Sequence, residues 1–168
     1  MYQLDALNTP FADGQYDVVG LFDVIEHISD DKAVLREMYR ICKPGGRIIL
    51  TVPANKWLWS YFDVSSCHKR RYSKKELYQK LQRAGFVVEK VSFYVFFLFP
   101  MFFLYRALRN MRCSFDDEEL SSGVEAQTIP LINEIFLSAL RLEKLLIKHI
   151  NLPIGTSLVA IARKVYDK

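Results

Sequence analysis

The feature that most constrains this chain is the run Tyr16-Asp-Val-Val-Gly-Leu-Phe-Asp-Val-Ile25. It is apolar without the in-out alternation of a half-exposed strand, so it is expected to be a central strand covered on both faces, as in a parallel sheet. Parallel strands need a long crossover. The next segment supplies one: Ser29, Asp30 and Asp31 offer a cap and two acidic residues at the positive end of a helix dipole, and Val34, Leu35, Met38, Ile41 and Cys42 follow at helical spacing. Lys43-Pro-Gly-Gly46 stops that helix, and Arg47 to Val52 reads as a second buried strand. The unit is strand, helix, strand.

A loop rich in aromatic and basic residues, Pro53 to Tyr72, comes next, closed by a capping box of Ser73 and Glu76 with Tyr72 and Leu77 placed as a hydrophobic staple. The helix that follows buries Leu77, Leu81 and Ala84 and closes at Gly85, with Phe86 folding back on Leu81. Val87 to Tyr94 reads as a third strand, Phe96 to Arg112 and Pro130 to His149 as helices, and Ser157 to Ala162 as a final strand. The second of those helices carries Ile132, Ile135, Phe136, Ala139, Leu142 and Leu146 along one face, and Ser114 to Glu125 is an acidic linker. The order is α/β throughout.

With 168 residues, 51% apolar and 25% charged, one domain is expected. A formal charge of +4 falls well short of a nucleic-acid signature. Cys42, Cys67 and Cys113 lack CxxC spacing, so neither a disulfide framework nor a zinc site is expected, and a reducing, cytoplasmic setting fits best. The first residues carry no basic and apolar signal pattern. The aromatic stretch running from Phe93, followed by Arg106, Arg109 and Arg112, is expected either to sit at a membrane surface, to wall a lipid-like acceptor, or to be an ordinary core helix.

Several residues carry candidate chemistry. Phe22 and Asp23 lie at the carboxyl end of the central strand, where ligands of open α/β sheets gather. His27 is either a general base or a cap on the strand-helix junction. His68 lies in the aromatic loop between Trp57, Trp59, Tyr61 and Phe62 on one side and Arg70, Arg71 and Tyr72 on the other, a composition suited to a substrate lid. Trp57, Trp59, Arg71 and Tyr72 are the candidate acceptor-binding residues, and His27 and His68 the candidate catalytic ones. Lys74 and Lys75 stand in the first turn of a helix, where an anion would explain them. Cys67 and His68 alone make no metal site, and no metal is expected.

Asp5-Ala6, Tyr16-Asp-Val-Val19, Phe22-Asp-Val-Ile-Glu-His27, Leu35-Arg-Glu-Met-Tyr-Arg40, Lys43-Pro-Gly-Gly46 and Cys67-His-Lys-Arg-Arg-Tyr-Ser73, in that order, resemble class I S-adenosylmethionine-dependent methyltransferases of the small-molecule type. The resemblance is close over residues 4–94 and loose over the last strand. It implies a Rossmann-like sheet in spatial order 3-2-1-4-5-7-6 with the last strand antiparallel. Strands four to seven would be present, with strand three a stub ending at Leu4 and strands one and two missing. Residues 1–168 would form a single partial domain, with 95–153 a helical insertion or lid and 154–166 the last strand.

The resemblance further implies that the Asp5 carboxylate accepts the adenine amino group, that the Ala6 amide donates to the ring, and that the Phe22 and Asp23 backbone faces the methionine part of the cofactor. The expected function is methyl transfer from S-adenosylmethionine to a small-molecule or lipid-like acceptor, impaired because no glycine-rich phosphate-loop equivalent occurs in the sequence. The alternative is a non-catalytic module that binds a partner or membrane. Self-association through the exposed edge of the central strand is expected. The place after that strand reads Phe22-Asp-Val-Ile-Glu-His27 rather than Asn/Asp-Pro-Pro-Tyr/Phe, which disfavours nucleic-acid base methylation.

Overall fold

The structure, a computed structural model, describes residues 4–104 and 130–166. Four strands, β1 (Tyr16–Phe22), β2 (Cys42–Pro53), β3 (Phe86–Tyr94) and β4 (Ser157–Lys164), form one sheet in the order β1-β2-β4-β3. Strands β1 and β2 are parallel, pairing Val18 with Arg47 and Phe22 with Thr51. β4 is antiparallel to both β2 and β3, pairing Val52 with Leu158 and Phe93 with Leu158. The last strand in sequence therefore inserts between the two before it, the 4-5-7-6 arrangement that the resemblance implies.

Helix α1 (Asp31–Ile41) starts where expected, with Asp30 as its cap accepting a hydrogen bond from the Ala33 amide at 2.9 Å. Its Val34, Leu35, Met38 and Ile41 are buried with Leu77 and Leu81 of α3 (Lys74–Arg83) against one face of the sheet, where Val19, Leu21, Ile48, Leu50, Val52, Leu158, Ala160 and Ala162 meet them. Burial of this set is the main stabilising term, since each fully buried aliphatic side chain contributes about 1.5–3 kcal/mol. Pro44-Gly45-Gly46, expected as a helix stop ahead of a strand at Arg47, lies within β2, where the register against β1 shifts between Cys42 and Arg47. Gly45 has φ +80° against the Tyr166 ring, and a Cβ on Gly46 would come within 2.9 Å of the Asp17 carbonyl oxygen.

Several expectations change. β1 ends at Phe22 rather than Ile25, because Asp23 adopts φ +50° and turns the chain out of the sheet. Among the described residues β1 is also covered on one face only: Val19 and Leu21 are buried, whereas Val18 is 57% and Phe22 62% exposed, because α1 and α3 pack on the same side. Among the described residues β1 pairs only with β2, so its outer edge is open. Leu4 lies in an exposed loop rather than a strand, and residues 1–3 are outside the described set.

The Ser73 hydroxyl accepts the Glu76 amide at 3.2 Å, but the Glu76 carboxylate ion-pairs with Lys56 at 2.9 Å instead of closing a capping box. The reciprocal arrangement appears at the short helix α2 (Tyr61–Ser65), where Asp63 accepts the Ser60 amide at 2.9 Å. Helix α4 (Pro130–His149) forms as expected but is rotated from the expected face. Ile135 and Leu142 are exposed, and Glu143 is buried because its carboxylate accepts the Val95, Phe96 and Phe97 amides. The stretch 99–104 is helical; the rest of the expected helix to Arg112, its arginines, the acidic linker and Cys113 lie outside the described residues. No helix among the described residues is long and apolar enough to cross a membrane.

Candidate active site

Parallel strands end together, and β4 starts at the end where β1, β2 and β3 finish, so four chain segments converge at one rim of the sheet. Phe22 projects there, and Asp23 leaves the strand with its amide donating to both the Thr51 carbonyl and hydroxyl at 3.1 Å. A left-handed aspartate is tolerable where a short polar side chain replaces a bulky one. Glu26 and His27 follow in the turn before α1.

The Pro53–Tyr72 segment arches over the same rim and is tied down at both feet. Tyr72 donates its amide to the Pro53 carbonyl at 2.9 Å and accepts the Asn55 amide at 3.0 Å, forming a parallel bridge with Ala54. Its buried hydroxyl donates to Asp31 at 2.7 Å, and burial followed by that carboxylate raises its pKa far above the usual phenol range. Lys80 and Arg70 complete the ion pairing of Asp31, the latter at 3.0 Å. The Lys69 amide donates to the Glu26 carbonyl at 2.9 Å, so the arch is stitched directly to the strand-helix turn.

Inside the arch, Asp63 is fully buried. Its Oδ1 accepts Arg71 Nε at 2.6 Å and faces His68 Nδ1 at 3.0 Å. Burial raises the Asp63 pKa, but the Arg71 and His68 hydrogen bonds outweigh it and hold the carboxyl below the usual range. Arg71 is equally buried and spends a second N–H on the Ala54 carbonyl at 2.9 Å. Arg71 and Tyr72 are buried and their hydrogen bonds to Asp63, Ala54 and Asp31 build the arch.

His68 and His27, expected as separate candidates from 41 positions apart in the chain, have ring centroids 4.8 Å apart. Glu26 lies beside them: one ligand atom of each of Glu26, His27 and His68 falls within 4.8 Å of the others. Glu26 is fully buried, and neither carboxylate oxygen has a hydrogen-bond partner among the described residues. His27 Nε2 lies 3.8 Å from Glu26 Oε1. Desolvation dominates and pushes the Glu26 pKa up, aided by the charge of Asp23.

Around the rim, Trp57 packs edge-on against Phe99 and Phe103, with ring centroids 6.1 and 5.8 Å away, joining the arch to the 99–104 helical stretch. Trp57 and Trp59 are both exposed. On the sheet face opposite α1, Thr51, Tyr94, Leu140, Ile147 and Val159, with Glu143 and Lys144, line a largely apolar cavity of about 260 Å³ beneath α4. Burial, with the neighbouring Asp23 charge, raises the pKa of the Tyr94 hydroxyl. Asp5 and Ala6 precede this centre in a loop where the Asp5 carboxylate accepts the Leu7 amide at 2.9 Å. That loop is anchored to α1 by Arg40, which donates to the Phe11 carbonyl at 2.7 Å and to Asp13. Lys74 and Lys75 are exposed.

Sequence reasoning missed Asp63, Thr51 and Tyr94, and named Glu26 only as a neighbour of His27. Asp63 had one legible signal, its position five residues before His68 on a short helix. Nothing in the sequence distinguishes Thr51 and Tyr94 from ordinary strand-end residues.

Residues 3–91 match the model of a methyltransferase domain family. Among curated relatives, demethylmenaquinone methyltransferase of Staphylococcus epidermidis is 34% identical over 91 residues, 49% of this chain and 38% of that protein. Norajmaline N-methyltransferase of Rauvolfia serpentina is 40% identical over 52 residues, 31% of this chain and 18% of that protein. Among solved structures, the [4+2]-cyclase SpnF superposes with a TM-score of 0.56 at 18% identity, covering 98% of this chain and 55% of that one. The chain thus spans little more than half the length of the cyclase and a smaller share of the two curated relatives. A cyclase among the fold neighbours also shows that this fold alone does not assign a reaction. With more than half of its residues matched by the family model and its strands in the implied order, the chain belongs to the class I S-adenosylmethionine-dependent methyltransferases.

Proposed function

We propose that this chain takes part in methyl transfer from S-adenosylmethionine to a small, largely apolar acceptor held at the strand ends, with His68 accepting the acceptor's proton. The observation that carries this reading is the Asp63–His68 pair, a fully buried carboxylate 3.0 Å from the Nδ1 of an imidazole that stands beside Glu26 and His27. A carboxylate in that position holds the imidazole in one tautomer and orientation and stabilises the imidazolium that forms.

The residues present fit the cofactor. Phe22 is exposed at the strand end, Asp23 turns its backbone outward, and one oxygen of the exposed Asp5 carboxylate remains beyond its bond to Leu7. Asp5 and Ala6 would meet the adenine, and Phe22 and Asp23 the methionine part. When bound, S-adenosylmethionine supplies a methyl group on a sulfonium, an electrophile that needs no acid to leave. What remains for this chain is orientation and proton removal. Trp57, Trp59 and the apolar cavity favour an acceptor with a greasy body, and His27 and Tyr94 add polar contacts at its reacting end. The exposed thiol of Cys67 suits a reducing, cytoplasmic setting.

A second reading rests on the open edge of β1 with exposed Val18 and Phe22, a template for pairing with another copy or partner. The aromatic stretch from Phe93 would in that reading serve contact with lipid. Amide NMR titration with S-adenosylmethionine separates the two. The enzymatic reading expects saturable shifts, in the millimolar range, at Asp5, Ala6 and Phe22 to His27. Absence of any shift at those amides up to several millimolar cofactor favours the binding module.

A further inference from the structure

We infer that Glu26, His27 and His68 form a binding site for a divalent first-row transition cation such as Zn²⁺ or Co²⁺. The sequence hides this site, because His68 is brought to Glu26 and His27 only by the arch. Three observations converge on it. First, Glu26 is fully buried and both of its oxygens lack a hydrogen-bond partner among the described residues. Buried carboxylates are nearly always paired, bonded or metal-bound, so this one calls for a partner of positive charge.

Second, both imidazoles are held from behind by acceptors. His68 Nδ1 faces Asp63 Oδ1 at 3.0 Å, and His27 Nδ1 faces the Cys67 carbonyl oxygen at 3.3 Å. Each Nδ1 therefore carries the proton, which fixes the tautomer and leaves each Nε2 as a lone-pair donor. Third, those two rings and the Glu26 carboxylate present ligand atoms within 4.8 Å of one another. Three ligand atoms this close, with neither oxygen of the buried carboxylate hydrogen-bonded among the described residues, are an arrangement that a cation satisfies. Bond lengths of about 2.0–2.2 Å to each ligand require only that the rings close inward by roughly an ångström, which the partly exposed His27 can do by side-chain rotation.

Two imidazoles and one carboxylate select zinc, cobalt, iron or manganese over magnesium and calcium, which prefer all-oxygen sets. Three protein ligands leave a coordination position open toward the acceptor side. A hydroxyl bound there would be acidified by the cation, so that its proton could pass to solvent water at neutral pH in place of the His68 imidazole. The binding inference itself stands apart from methyl transfer and is tested with no cofactor or acceptor present.

The test is a Co²⁺ titration of the chelator-treated 168-residue chain carrying Cys67→Ser, which removes the neighbouring thiol as a competing ligand. The expected result is a visible d–d absorption that saturates at one equivalent and is abolished by an equivalent of Zn²⁺. His27→Ala and His68→Ala, with folding checked by circular dichroism, should each lose the band. Asp63→Asn should retain it with about 10–100-fold weaker affinity, the usual effect of removing a carboxylate behind a metal-bound histidine. Absence of a saturable band up to millimolar Co²⁺, or a band unchanged in both histidine variants, overturns the inference and leaves Glu26 satisfied by protons or water. Either result leaves the cofactor titration above free to succeed or fail by itself.

Discussion

Two buried glutamates eleven positions apart in one segment are treated in opposite ways. Glu37, on α1, has both oxygens occupied: it accepts the Thr9 amide and hydroxyl at 2.8 and 2.6 Å and two N–H groups of Arg40 at 2.7 and 2.9 Å. The Arg40 hydrogen bond leads the forces that bring its pKa down to about 2. Glu26 is more deeply buried and has no hydrogen bond among the described residues, and burial moves its pKa upward. The first carboxylate fastens the loop after Asp5 to the scaffold and so serves stability. The second stands uncompensated beside two imidazoles at the strand ends. Burial of a charge is thus no guide to its role; what separates a fastening group from a working one is whether the fold has met its hydrogen-bonding capacity.

The sharpest break between the two regions is expected from His68→Ala. Removing a general base from the site should lower methyl transfer by about 10²–10⁴-fold while the thermal midpoint falls by only a few degrees, since Asp63 keeps its bonds to Arg71 and the Ser60 amide. A parallel loss of stability would mean that His68 is a fastening residue too. Next in size is Arg71→Met. It strands Asp63 as a fully buried carboxylate without its guanidinium and should cost about 3–5 kcal/mol in chemical denaturation, loosening the arch. A cost below about 1 kcal/mol would show that Asp63 is not charged in the folded state.

The smallest effect concerns pH. Glu37 titrates near 2 when folded against about 4.5 ordinarily, so its contribution is complete above pH 4.5 and is lost as pH falls from there toward 2. After solvent screening the loss is on the order of 1 kcal/mol. Glu37→Gln should flatten the stability profile over that window, and an unchanged profile would remove the carboxylate from the fastening role.

The scaffold was legible and the centre was not, for a physical reason. α1 has its apolar residues at helical spacing behind an aspartate cap, and the apolar runs Ile48–Val52 and Leu158–Ala162 mark the middles of β2 and β4, so local pattern placed these; β2 starts at Cys42 rather than Arg47, which its Lys43-Pro-Gly-Gly46 run did not announce. The one-sided burial of β1 was illegible because what covers Val18 and Phe22 depends on neighbours, not on the strand's own composition. His27 and His68 could be named one by one from their positions after a strand and in a lid-like loop. Their approach to Glu26 depends on the Tyr72–Asp31 and Arg71–Asp63 contacts that fold the arch back, and these join residues 41 and 8 apart in the chain. The outward Ile135 and Leu142 of α4 have the same origin: Glu143 sets the helix rotation by capping three amides, overriding the apolar stripe.

The most direct test makes the same substitution twice. Glu26→Met and Glu37→Met each exchange a buried carboxylate for an apolar side chain of similar shape. Denaturation and Co²⁺ binding are then measured on both. The difference between the two regions predicts that Glu26→Met folds with equal or greater stability and loses the cation. Glu37→Met should lose about 2–3 kcal/mol and bind it undiminished. Equal destabilisation of both variants, or cation binding retained by Glu26→Met, would contradict the division between a fastening and a working carboxylate.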